Sequence, residues 1–166
     1  MKRLLIVSSV VCLLMMATRA AAPANFSGTW ALDKSKSEGL QGPMAGADVT
    51  LTVTQDAKQL TVETKYTGGE REIPPQKLTY NLDGSETTAE VMGRGGPSKA
   101  TLKAKWASDS VLELNSVRNV NMQGNDVTIT TQEHWELADG GKTLKVHRTS
   151  QTPQGTREVK LTFTKK

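Results

Sequence analysis

Glu133, Arg148 and Arg157 are the side chains of this sequence whose types and spacing suit chemistry, and that chemistry is the holding of an anion. Read as a two-residue turn, Gly140-Gly141 places Glu133 opposite Arg148 and Trp135 opposite Val146 on one face of a hairpin. A turn at Pro153-Gln154 sets Arg157 beside Ser150, in step with Val159 and Phe163. Two guanidinium groups and one carboxylate among apolar neighbours suit the acid group of an amphipathic molecule, because an Arg fork takes a carboxylate through two parallel hydrogen bonds. On the other reading, Glu133 and Arg148 pair with each other near a wet rim, and Arg157 is the unmatched charge left for a ligand. Trp135, Trp106 and Tyr80 share the inward parity, either as lining for an apolar body or as core filling.

The same hairpin register puts His134 opposite His147 on the outer face, and a neighbouring strand adds Glu113 to that row. Two imidazoles and a carboxylate are a plausible zinc or copper ligand set. Against it, Lys160 falls beside His147, and a chance pairing on a solvated face explains the row as well. No metal or other cofactor is therefore expected. Catalysis has no footing either. No Ser-His-Asp spacing stands out, and Gly93-Arg94-Gly95-Gly96 lacks the following helix that a phosphate cradle needs. The chain is not expected to be an enzyme.

The elements that position these residues have a period of two. Val49, Leu51 and Val53 alternate with threonines; Leu102, Ala104 and Trp106 alternate with Lys103 and Lys105; Val159, Leu161 and Phe163 alternate with Lys160 and Thr162. That is the pattern of antiparallel strands with one dry face. It predicts strands over 28–33, 48–55, 59–66, 77–82, 86–92, 99–107, 111–120, 126–138, 142–150 and 157–164. With Asp56-Ala57 as a two-residue turn, Val53 faces Leu60 and Leu51 faces Val62. Long connections are expected at Lys34–Asp48, Thr67–Gln76, Gly93–Ser98, Asn121–Asn125 and Gln151–Thr156, which hold Pro43, Pro74, Pro75, Pro97 and Pro153. They alternate with tight turns, so a meander would gather all the long ones at one end. The expected fold is all-β: a single up-and-down antiparallel β-barrel of about 8–10 strands, closed so that no sheet edge is left open.

Met1-Lys2-Arg3 followed by an apolar run from Leu4 to Ala17 and small residues at Ala20–Ala24 has the form of a secretory signal, too short to span a bilayer. The expected division is a signal peptide over 1–22, cut within about 20–24, and one domain over 25–166. Export implies a periplasmic or extracellular protein. Lys2, Arg3 and Arg19 leave with that segment, so 18 basic residues stand against 17 acidic ones, a net charge of +1. No nucleic-acid surface follows from such a balance. Cys12, the one cysteine, leaves too, so stability must come from burial without a disulfide.

Phe26-Ser27-Gly28-Thr29-Trp30, opening the first strand after this segment, resembles the Gly-x-Trp start of the calycin superfamily, the lipocalins and fatty-acid-binding proteins. Phe26, Gly28 and Trp30 carry the likeness, and the run to Lys34 also looks like the opening of exported bacterial lipocalin-like domains. The resemblance implies a lipocalin-like barrel with its tryptophan in the floor and a small hydrophobic molecule inside. Lipocalins place an arginine late in the last strand against that tryptophan; this chain offers Lys165 or Lys166. The fatty-acid-binding Arg-x-Tyr pair is matched only by Arg157-Glu158-Val159, and Lys34–Asp48 is too glycine-rich for a two-helix lid. The expected function is the binding of an amphipathic or hydrophobic ligand by a monomer. The alternative is a protein-interaction module, an inhibitor or envelope assembly factor, acting through long loops around a packed barrel.

Overall fold

The computed structural model describes residues 22–69, 72–93, 96–122 and 124–166. The expected signal peptide lies almost wholly outside them. Alternation builds the wall: Val49, Leu51 and Val53 are buried while Thr52 and Thr54 are exposed, and Leu102 and Ala104 are buried between exposed lysines. Ten strands result: β1 (Gly28–Leu32), β2 (Asp48–Gln55), β3 (Gln59–Thr67), β4 (Gln76–Asn81), β5 (Thr87–Gly93), β6 (Gly96–Trp106), β7 (Val111–Met122), β8 (Asn125–Ala138), β9 (Thr143–Thr152) and β10 (Gly155–Lys165). They form one antiparallel sheet in the order β4-β3-β2-β1-β10-β9-β8-β7-β6-β5, an all-β, up-and-down and nearly closed barrel. First and last strands pair, so the interruption falls between β4 and β5. There the Thr87 hydroxyl donates to the Thr79 carbonyl at 2.6 Å. Outside, opposite charges face each other across the strands, Glu63 with Lys77, Glu90 with Lys99 and Glu136 with Lys145, a pairing that favours this register.

The registers Glu133–Arg148, Trp135–Val146, His134–His147 and Ser150–Arg157 fall where the sequence puts them. The β2–β3 hairpin differs: Val53 faces Val62, and Gln55 faces Leu60. Its turn is centred one residue later, because the Asp56 carboxylate accepts from the Lys58 and Gln59 amides at 2.7 and 2.8 Å while Asp56 N donates to Gln59 O. Moving a turn by one residue shifts the pairing by two, so every side chain keeps its face.

Three connections expected to be long are tight. The ladders close at Gly93–Gly96, Met122–Asn125 and Thr152–Gly155. A glycine with positive φ stands in or beside each turn, Gly96, Gly124 and Gly155, and permits a reversal without extra residues. Pro97 consequently lies in β6 opposite Met92, beyond the stretch that pairs with β7 from Ala100 onward.

The segment between β1 and β2 is a strap rather than a free loop. β1 pairs with β10 only at Phe163–Lys165, which leaves the β10 edge before it without a strand. Glu38 and Lys160 exchange backbone hydrogen bonds there at 2.8 and 3.1 Å. Ser37 Oγ accepts from Thr162 N, and Arg157 donates to the Gly39 carbonyl at 2.8 Å. A Cβ at Gly39 would lie 2.9 Å from the Glu158 carbonyl, so glycine lets the strap approach. Beyond it, Leu40 and Met44 pack on the core, Met44 from a single helical turn, α1 (Pro43–Gly46).

At the other end, the N-terminal segment plugs the floor. Phe26 and Trp30 are fully buried, and the Trp30 indole N–H donates to the Phe26 carbonyl at 2.9 Å. Gln55 holds the plug from both sides, accepting from Phe26 N and donating to the Ala24 carbonyl. The Phe26 ring lies 6.1 Å from Trp106 and 5.8 Å from Trp135. Lys165 stands over Trp30 with its ammonium 5.1 Å from the ring centroid, a cation–π contact of about 0.5–2 kcal/mol.

Candidate functional site

Above this floor the inward side chains turn polar. Glu133 on β8 and Arg148 on β9 meet at 2.6 Å, and the Trp135 indole donates to the second Glu133 oxygen at 2.7 Å. Arg148 Nη1 also reaches the Met44 sulfur at 3.5 Å, which ties the strap to the interior. Burial works against the Arg148 cation, but the charge and hydrogen bond of Glu133 more than offset it and leave its pKa raised. Tyr66 and Tyr80 stand close enough to feel both charges. Burial pushes both phenols up, with Glu133 adding to the shift and Arg148 opposing it. Both therefore stay neutral, with hydroxyls able to donate and accept.

Two polar groups in this half lack partners among the described residues. Arg118 follows Leu112, Leu114 and Ser116 on the inward face of β7, between Ala100 and Ile129. Burial alone lowers its pKa, and no carboxylate faces it among the described residues. The Gln76 amide nitrogen, on the face of β4 that carries Tyr80, is buried without a hydrogen-bond partner. A guanidinium and an amide with unused donors can each hydrogen-bond an acceptor group.

No protein-family model matches the chain, and no curated protein matches its sequence. Its fold is nevertheless shared with solved structures. One, described as the REP1-NXSQ fatty acid transporter, superposes with a TM-score of 0.54 at 15% identity, covering 85% of this chain and 96% of that one. Another, the zebrafish ileal bile acid-binding protein complexed with cholic acid, gives 0.55 at 16%, covering 85% and 98%. The chain has the calycin fold.

Within this barrel the residues singled out from sequence separate into four places. Glu133, Arg148, Trp135 and Tyr80 come together as described. Trp106 sits at the floor end, stacked on Phe26. Arg157, expected to point inward, is exposed at the rim on the Gly39 carbonyl; the strap offers that carbonyl nearer than the interior offers an anion. His134 and His147 face outward with ring centroids 6.5 Å apart. Each has its own carboxylate, Glu113 at 3.2 Å and Glu158 at 3.6 Å. Among the described residues no group of three or more donors is placed to hold a metal.

Sequence reasoning missed Arg118, Gln76, Tyr66 and Met44. Arg118 was within reach of the same alternation, since it continues Leu112, Leu114 and Ser116 by steps of two. Met44 was not, because strap residues obey no period.

Proposed function

We propose that this calycin is an exported carrier of an amphipathic anion, held in the upper half of the barrel. Arg118 takes the acid group, the Gln76 amide and the tyrosine hydroxyls complete its hydrogen bonds, and Leu78, Ala89 and Ile129 flank its apolar body. The observation that carries this reading is the inward Arg118 with no carboxylate facing it among the described residues. Glu133 and Arg148 neutralise each other and serve as a fixed polar wall. A fatty acid transporter and a bile acid-binding protein among the similar structures support the ligand class. The basic start and apolar run over 1–22 support export. The tightness of three of the expected long loops, and the pinning of the strap, favour this reading over a module that acts through its loops.

Calorimetric titration with oleate and with cholate tests it. At least one should bind saturably, and Arg118→Leu should weaken that binding by about tenfold or more, as the loss of a charge-assisted hydrogen bond does. Equal affinity in the variant, or no binding of either probe, would overturn the assignment.

A further inference from the structure

Outside the floor, at the end away from Arg118, lies an open cleft of about 910 Å³. It is bounded by the β2–β3 turn, the β4–β5 connection and the end of β6, where Trp106 is half-buried. This indole stacks along Phe26 with ring planes 21° apart, and it also lines the cleft. Leu82 continues the apolar surface, and its amide donates to the Lys58 carbonyl at 2.7 Å, so the two turns are joined.

The rim is held rigid by its own hydrogen bonds. Asp56 Oδ1 accepts from the Lys58 and Gln59 amides, and Asp83 Oδ1 from the Ser85 amide and hydroxyl at 2.8 and 2.6 Å. Gln59 donates to Asn81 at 3.0 Å, and Asn81 to Ser85 at 2.9 Å. Each carboxylate keeps its Oδ2 without a partner among the described residues, as do the Gln59 side-chain Oε1 and the Lys58 ammonium. Hydrogen bonds from the turns hold both aspartates below the usual carboxylate range, so these acceptors are ionised at neutral pH. A preorganised rim loses little freedom on binding.

The mixture of charges selects the ligand. A cation would meet Lys58, and an anion would meet Asp56 and Asp83. A neutral polyhydroxylated molecule uses all of them, its hydroxyls donating to carboxylates and accepting from the ammonium, while the C–H face of a pyranose lies on the indole. We infer that this cleft is a saccharide-binding site, independent of the barrel interior. Its volume falls in the range of small-molecule sites.

Titrating the isotope-labelled protein with maltohexaose, cellohexaose and chitohexaose, read by amide and indole NMR shifts, tests the inference. At least one sugar should give saturable shifts at the Trp106 indole and the Gln59 and Asn81 signals, with a Kd in the millimolar range. Lys58→Ala and Gln59→Ala, both at exposed positions, should each weaken it by about fivefold. Arg118→Leu should leave it unchanged, which separates this site from the barrel ligand. Absence of a saturable shift with all three sugars, unaltered affinity in both rim variants, or a tighter response to spermine than to any sugar would overturn the assignment.

Discussion

At the floor end of the barrel, Phe26, Trp30, Leu60, Leu112 and Leu144 are wholly covered, and the Trp30 indole, the Phe26 amide and the Gln55 side chain are matched. At the mouth end, Tyr66, Gln76, Ser116, Arg118, Thr131 and Arg148 remain half-buried on the same inward face of the same strands. One alternation thus builds a fully covered apolar core below and a more polar, half-buried inner face above. The difference lies in what closes each end. Aromatic rings fill the floor, whereas a strap tied to β10 by backbone bonds borders the mouth. Under the proposed function, stability resides below and recognition above, and substitutions in the two halves should differ in kind.

The largest effect is expected at Trp30. Trp30→Ala would remove a fully buried ring, an indole hydrogen bond and the surface under Lys165, at a cost of about 3–5 kcal/mol. Chemical denaturation measures this, and a loss under about 1 kcal/mol would mean that the floor is not the stabilising half. Next comes the charged pair above the floor. Glu133→Gln leaves Arg148 without its carboxylate at 2.6 Å and should cost about 3 kcal/mol. Glu133→Leu combined with Arg148→Met should cost clearly less, since an apolar replacement leaves no uncompensated charge. Equal losses in the single and double variants would break the view of this pair as a mutually neutralised wall. Arg118→Leu should leave stability unchanged or slightly raised while weakening ligand binding by about tenfold or more, because no described residue compensates its charge.

Both ends of the barrel were partly legible in sequence. Strand alternation located Trp135 and the pairing of Glu133 with Arg148 above the floor, because a period of two and a glycine turn determine register, and the Gly-x-Trp motif located Trp30 in the floor. Phe26 was visible only as part of a short motif, and its stacking on Trp106 depends on the segment before β1 folding back. Connections were misjudged where glycine made a five- or six-residue interval into a tight turn, as at Asn121–Asn125. Arg157 was misplaced for a different reason. Parity gives the direction of a side chain from the sheet, but at a rim the nearest acceptor decides, and Gly39 comes from a strap that no periodicity describes.

The smallest expected effect separates the two phenols by pH. Tyr66 and Tyr80 are the only two tyrosines, so phenolate absorbance reports on them alone. Burial raises both above the ordinary value of 10.0, and Tyr80 is the more deeply covered. A folded-state pKa raised above the unfolded one means that the unfolded chain releases its proton first as pH rises. The stability linked to these phenols is then fully present below pH 10.0 and is lost as the pH climbs toward the folded values. Tyr80→Phe should flatten that alkaline decline more than Tyr66→Phe, and phenolate from Tyr80 should appear only as the barrel unfolds. If Tyr80 ionised well before unfolding, water and hydroxide would reach its phenol freely, and the division between a covered floor and a half-buried mouth would have to be drawn below Tyr80 instead of beside it.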